Sequence, residues 1–290
     1  VGIGIEAVQW GKVTQIAVSW VTSPLIAGAF AFLIFRVVRG AVLDQDDPVA
    51  RARRLGPLFV FVVVFTLSLV TLNKGLKNLK LDFDFGEACA LATAIGLVAA
   101  IAGRFVLARM KLGEGDPQFR YRRVETLFGV LQMMTACAVA FAHGSNDVAN
   151  AIGPLAAIHQ AVGGAAEGKA VVTTWMLGIG GIGIVVGLAT YGYRVMETVG
   201  KKITELTPSR GFSAELATAL TIVVASRLGI PVSTTHTLVG SVLGVGLARG
   251  IGALDLRVVG TIFLSWLITL PSGAALAIFF YYFFKGLLGG

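Results

Sequence analysis

Long apolar runs, each bounded by short polar or basic segments, dominate the pattern of this chain. The runs lie at about 13–35, 55–73, 88–108, 127–159, 170–193 and 258–284. A helix needs about 20 apolar residues to cross a bilayer core of roughly 30 Å, and each run supplies them. A seventh apolar region, 212–248, behaves differently. Its first arm, from Phe212 to Ser226, holds about 15 residues, or about 22 Å of helix. Arg227, Gly229 and Pro231 interrupt it before a second arm runs from Thr234 to Ala248. Two short arms meeting at an irregular turn predict a re-entrant helical hairpin, with two tightly packed full spans as the alternative. Irregular backbone at that depth is tolerated only where protein packs it or a watery cavity solvates it. The predicted fold class is all-α: a polytopic membrane protein with about six transmembrane helices plus a re-entrant hairpin.

Composition sharpens this picture. Of 290 residues only 14% are charged and 56% are hydrophobic, whereas soluble domains are about a quarter charged. Asp147, Glu215 and Arg227 lie well inside apolar runs, and the other charges crowd the connections and run ends. An ordinary soluble enzyme and a disordered chain are thereby excluded. The net charge of +8 is not a nucleic-acid footprint, because the Lys and Arg residues flank the runs in alternation. Segment 36–54 carries five, 104–123 six and 194–210 four, against three in 74–84 and Lys169 alone in 158–170. The rich loops are placed in the cytoplasm. The two cysteines, Cys89 and Cys137, sit in apolar surroundings and make no disulfide framework; no Cys/His spacing suggests a metal site.

The two ends of the chain resemble each other. Residues 12–40 and 257–286 each carry a basic residue, then Ser-Trp (Ser19-Trp20, Ser265-Trp266), a proline (Pro24, Pro271), small residues, an aromatic stretch and a basic-Gly pair. By the loop charges, the first copy ends in the cytoplasm and the second begins there, so the copies run in opposite directions. Inverted repeats with discontinuous helices between them are a hallmark of secondary transporters. Three regions follow: 1–40 as the end of a first repeat, 41–124 as connecting helices and cytoplasmic loops, and 125–290 as a second repeat containing the hairpin. The chain opens on Val1 within an apolar phrase, and a first hairpin is expected upstream of it.

Polar residues inside the apolar runs identify the candidate chemistry. His143, Asn146, Asp147 and Asn150 lie three or four apart and form one helical stripe. Gly144 and Gly153-Pro154 offer places for that helix to open. A carboxylate deep in a membrane costs at least about 2.5 kcal/mol and normally marks an ion or substrate path. The second cluster, Pro231-Val232-Ser233-Thr234-Thr235-His236, opens the hairpin's second arm. Hydroxyl caps, unpaired N–H groups and the positive dipole end converge there, which is the chemistry of an anion site. Simple capping by Ser233, Thr234 and Thr235 is the bland alternative, as helix stitching is for the Asn and Asp residues. His236 reads as packing at least as readily as a ligand, and Arg227 as snorkelling or pairing within the hairpin. Glu215 suits the first turn of the hairpin's first arm, and Gln132, on the His143 face, suits a tie between helices. Gly183-x-x-x-Gly187 and Gly240-x-x-x-Gly244 predict close helix approach, and most Trp and Tyr residues an interfacial belt.

At these two motifs the sequence resembles the inorganic phosphate transporter (PiT) family. The resemblance is carried by Gly144-Ser145-Asn146-Asp147-Val148-Ala149-Asn150 and by Pro231 to His236, within the phrases FAHGSNDVANAIGP and GIPVSTTHTLVG. It implies a symporter that cradles inorganic phosphate between two halves and couples it to a cation, Na⁺ or H⁺. The family carries both motifs twice, and this chain carries each once. The implied phosphate residues are Asn146, Asp147, Asn150, Ser233, Thr234 and Thr235; Asp147, Asn150 and Ser233 are candidates for the cation. A bacterial cytoplasmic membrane is the expected location, with room for a homo-oligomer.

The chemistry suits that implication. Ser233, Thr234, Thr235 and backbone N–H groups can donate to bare phosphate oxygens, and Asn146 and Asn150 can donate to the anion or turn carbonyls toward a cation. Ionised Asp147 only accepts, so it can take the proton that phosphate retains or hold Na⁺. Sulfate lacks that proton, and an acceptor beside the donors discriminates against it. Two other classes compete: a membrane receptor or scaffold that binds phosphate without moving it, and an intramembrane hydrolase built on Ser145 or Ser233 with His143 or His236 and Asp147. The second is disfavoured, because Ser145 and His143 point about 200° apart on one helix.

Overall fold

The computed structural model describes residues 9–72, 84–109, 120–162, 172–228 and 230–288. Among them all regular structure is helical: α1 (Trp10–Val38), α2 (Pro48–Val70), α3 (Phe85–Arg109), α4 (Arg120–Val162), α5 (Thr174–Gly187), α6 (Tyr193–Glu197), α7 (Pro208–Leu228), α8 (Thr234–Arg249) and α9 (Leu256–Leu288). Six helical stretches are long and apolar enough to cross a membrane: Trp10–Leu43, Pro48–Val70, Phe85–Arg109, Tyr121–Gly144, Thr174–Lys202 and Leu256–Leu287. They correspond to the six runs of the sequence pattern. The α7–α8 pair is the hairpin.

Polar side chains at the run ends decide where helices start. Asp47 accepts from the Ala50 N–H at 3.0 Å and Pro48 follows as the first helical residue of α2. Asp255 accepts from the N–H groups of Arg257 and Val258 at the start of α9. The cap of α7 comes from another helix: Glu125 on α4 accepts from Ser209 N at 2.7 Å and Ser209 Oγ at 2.8 Å. A carboxylate there satisfies orphan N–H groups and complements the helix dipole. The first arm therefore starts at Pro208, four residues before the apolar stretch, and spans 21 residues. Glu215 consequently stands two turns inside α7, not in its first turn, and the dipole does not explain it.

Three other expectations change. α4 runs unbroken for 43 residues through Gly144 and Pro154; one hydrogen bond lost at proline does not end a helix packed along so much of its length. The run predicted at 170–193 continues through two π-helical turns, Leu188–Gly192 and Thr198–Lys202, to Lys202. At Gly183 and Gly187 nothing among the described residues comes within 4 Å of the position a Cβ would occupy, so that pair makes no close helix approach among them. Gly240 and Gly244 do: a Cβ on either would strike the α1 backbone, at Pro24 and Gly28 respectively.

α4 and α7 run parallel. Successive contacts pair Glu125 with Ser209, Phe128 with Phe212 and Thr135 with Glu215, and Ala142 packs in one buried cluster with Ile222. α8 returns beside α1, and on its α7 side Ser241 Oγ accepts from Thr218 Oγ1 at 2.9 Å. Near the hairpin's base, Phe59, Phe128 and Phe212 pack with ring centroids 5.6–5.9 Å apart. They centre a core of α1, α2, α4 and α7 residues that includes Val38, Val63 and Leu131. A second core joins Ala31 and Phe35 of α1 to Ala214, Ala217, Val239, Val242 and Val245 of the hairpin.

Candidate functional site

The hairpin turn brings the two sequence motifs together. Thr234, first residue of α8 and 4% exposed, directs Oγ1 to Asp147 Oδ1 on α4 at 3.3 Å. The other carboxylate oxygen, Oδ2, lies 2.7 Å from His143 Nε2 one turn earlier on α4. Both side chains of this pair remain about two-fifths exposed, at 41% and 40%, so the site is reachable. From the Glu125–Ser209 contact, Asp147 lies 22 residues along α4, about 33 Å of helix.

The start of α8 has the geometry that its hydroxyls predict. Ser233 is the N-cap, and its Oγ accepts from His236 N at 3.3 Å. Thr237 closes the turn from the other side, donating both its N–H and its Oγ1–H to the Ser233 carbonyl at 2.9 and 2.7 Å. The N–H groups of Thr234 and Thr235 have no acceptor among the described residues, and Thr235 is exposed. Capping and anion donation are therefore not rivals here: Ser233 Oγ, with its lone pairs engaged by the cap, still has a proton to give. The described side chains do not include those of Asn146, Asn150 and Ser145; their backbone places them on α4 beside Asp147.

The weaker candidates resolve into packing roles. Arg227 lies with its guanidinium 4.3 Å from the centroid of Phe85 at the start of α3, a cation–π contact. His236 is stacked between α1 and α9, with Trp266 at 3.7 Å and Trp20 at 6.3 Å between ring centroids. Cys89 is half-buried and Cys137 exposed, both as free thiols.

One cluster escaped the sequence reading. Glu215 accepts a 2.6 Å hydrogen bond from Thr135 Oγ1 on α4, with Gln132 beside it. Gln132 thus ties two helices, as its position suggested, but to a half-buried carboxylate. The signal was present in the α4 stripe: Gln132, Thr135, His143 and Asp147 continue one helical face. Nothing in the α7 sequence says which helix Glu215 meets.

A hairpin whose capped tip rests on a carboxylate of α4, beside six helices long and apolar enough to cross a membrane, is the architecture of an integral multi-pass membrane protein. The chain belongs to the phosphate transporter family, whose pattern it matches over residues 1–277. A Haemophilus influenzae protein, provisionally named a phosphate permease, is 45% identical over 282 residues, covering 97% of this chain and 67% of its own length. A Pyrococcus abyssi protein named in the same way is 45% identical over 96% of this chain and 67% of its own. Among solved structures, one named "The sodium-dependent phosphate transporter" matches with a TM-score of 0.81 and 38% identity, over 93% of this chain and 66% of that chain. This chain therefore spans about two thirds of the length of the relatives it matches.

Proposed function

We propose that this chain forms the larger part of a secondary active symporter that moves inorganic phosphate across a bacterial cytoplasmic membrane, with Na⁺ as the coupling ion. The observation that carries this reading is the 3.3 Å contact between Thr234 Oγ1 and Asp147 Oδ1, which joins an anion-donating helix start to an acceptor-only carboxylate. Ser233, Thr235 and the open N–H groups of α8 donate to the phosphate oxygens, and Thr234 joins them by turning its one O–H from Asp147 to the anion. Asn146 and Asn150 complete the shell from α4. Asp147 accepts the proton that phosphate retains, or holds the cation together with Asn150 and Ser233. Neutral donors suit a carrier, which must release what it binds. Family membership and the sodium dependence in the name of the structural relative support the choice of substrate and ion.

Reconstitution of the complete protein in vesicles tests this. Inward sodium gradients are expected to drive labelled phosphate uptake, and preloaded phosphate is expected to accelerate exchange. Binding without counterflow would make the protein a receptor, and proton-driven uptake indifferent to sodium would replace the coupling ion.

A further inference from the structure

We propose that the base of the hairpin binds a phosphoryl oxyanion, from an anionic phospholipid headgroup or from free phosphate, in a cavity of its own. The inference stands whether or not the hairpin tip carries phosphate.

An open cavity of about 750 Å³ lies between the end of the crossing stretch Thr174–Lys202 and the start of the stretch Leu256–Leu287. Lys201, Lys202, Thr204, Glu205, Asp255 and Arg257 line it. The loop charges put this end in the cytoplasm. Asp255 N donates to the Ile203 carbonyl at 3.0 Å and ties the 203–205 connector to the start of α9. Both arms of the hairpin hold the same connector. Arg210, near the start of α7, and Arg249, at the end of α8, donate through Nη1 to the Glu205 carbonyl at 2.9 and 3.2 Å. Arg249 also donates to Thr204 Oγ1 at 3.0 Å. It closes the helix that Thr234 opens, about 22 Å away along α8, so this cavity is not the hairpin tip.

The charges there do not balance. Five cations, Lys201, Lys202, Arg210, Arg249 and Arg257, stand against two carboxylates, Glu205 and Asp255. Asp255 caps α9, and the Glu205 side chain, 83% exposed, lies 3.7 Å from Arg210. No described carboxylate comes within ion-pair distance of Lys201, Lys202 or Arg257. Single exposed lysines are commonplace; three unpaired cations from the ends of two crossing helices around one cavity are a docking arrangement for an anionic headgroup. A phosphoryl group suits them, because its oxygens accept charge-assisted bonds from ammonium and guanidinium groups alike. The depth suits a lipid: Lys202 ends one crossing stretch and Leu256 begins another. Exposed Leu256 gives the cavity an apolar edge for acyl chains.

The test follows the melting temperature of the complete protein in detergent, titrated with phosphatidylglycerol, with zwitterionic phosphatidylcholine, or with inorganic phosphate. Phosphatidylglycerol should raise it by about 3–5 °C at saturation, and phosphatidylcholine should not. Lys202→Gln/Arg257→Gln should raise the half-saturating phosphatidylglycerol concentration about twenty-five-fold, or about fivefold for each cation removed. Glu205→Gln keeps the carbonyl that the arginines hold and should lower that concentration by up to about fivefold. Arg194→Gln is the control for bulk surface charge. That guanidinium is already engaged by the Tyr193 and Tyr191 hydroxyls at 3.0 and 2.8 Å, and its loss should shift the concentration by less than about twofold. In phosphatidylcholine every variant should melt within about 2 °C of the parent, as folded protein. Inorganic phosphate also has the site proposed at the hairpin tip, so its arm is read as the difference between parent and double variant. A phosphate-induced shift that shrinks in the double variant makes free phosphate the source, and a difference confined to the lipid arm makes it the headgroup. Parent and double variant alike in both arms, or an Arg194→Gln loss as large as that of one cavity cation, overturn the proposal.

Discussion

α1 and α9 carry the same phrase and occupy different surroundings. In α1 the phrase is packed: Ser19, Ser23, Pro24, Ala27, Ala31, Phe35 and Val38 are buried. In α9 the apolar window is 0% buried, and its contacts with the second core come from Val258, Val259, Ile262 and Trp266, near its start. Gly28 faces the backbone of Gly240, whereas a Cβ at Gly273, just past Pro271, would meet nothing within 4 Å among the described residues. Apolar character therefore does not choose which helix is buried. α8, rich in Gly, Ser and Thr, is buried on nearly every side, while the more apolar α9 is exposed. In lipid, apolar side chains gain little from burial, and small residues that let backbones approach, or polar ones that need partners, are drawn inside.

That contrast can be broken at the glycines. Gly240→Val should be the most damaging change, because its side chain would meet the Pro24 backbone, which cannot yield as a side-chain tip would. A loss of about 3 kcal/mol is expected, read as a collapse of the melting transition in detergent. Asp147→Asn comes next. It removes an acceptor at the hairpin tip and should lower sodium-driven phosphate uptake about a hundredfold, matching the loss of a charged hydrogen bond, and blur discrimination against sulfate, while the fold survives. Unchanged sodium dependence in that variant would make Asp147 a structural residue.

Thr234→Val sharpens the picture of the site. It keeps shape but removes the hydroxyl that reaches Asp147, so phosphate affinity should fall ten- to a hundredfold. Thr237→Val is its control: this hydroxyl bonds the Ser233 carbonyl, which also receives the Thr237 N–H, so about 1 kcal/mol of stability is at stake and phosphate binding should barely move. Equal losses of binding at both positions would remove the anion from the hairpin tip. Smallest of all is Gly273→Ala on α9, expected to stay within about 0.5 kcal/mol of the parent in melting; a large loss would show that a partner covers that face.

Much of this architecture was legible beforehand. The crossing helices, the hairpin and the two polar motifs follow from runs of apolar residues interrupted by Pro231 and by the Ser-Thr-Thr cap. Capping by Ser233 was legible too, since a hydroxyl before a helix has few other roles. Less so were the long α4 and the early start of α7. Pro154 looked like an exit, yet packing on α5 through Ile152 and Ala156 supports the helix past it. Glu125 caps α7 from 84 residues away, and no local pattern announces such a partner. Asn146 and Asn150, singled out by their spacing, are placed here by the backbone alone.

What the sequence by itself determined is the set of helices, the residues that must find polar partners, and the family. Hydrophobic length and the cost of unpaired polar groups in lipid are properties of the chain, and they act whatever the neighbours are. The pairing of those polar groups was decided only in three dimensions: Thr234 with Asp147, Glu215 with Thr135, and Ser209 with Glu125. Each pair joins residues 80 or more positions apart. A lone polar group in an apolar run states only that a partner is needed; which one it finds depends on which helices pack side by side, and for these pairs that is the packing of α4 against α7 and α8.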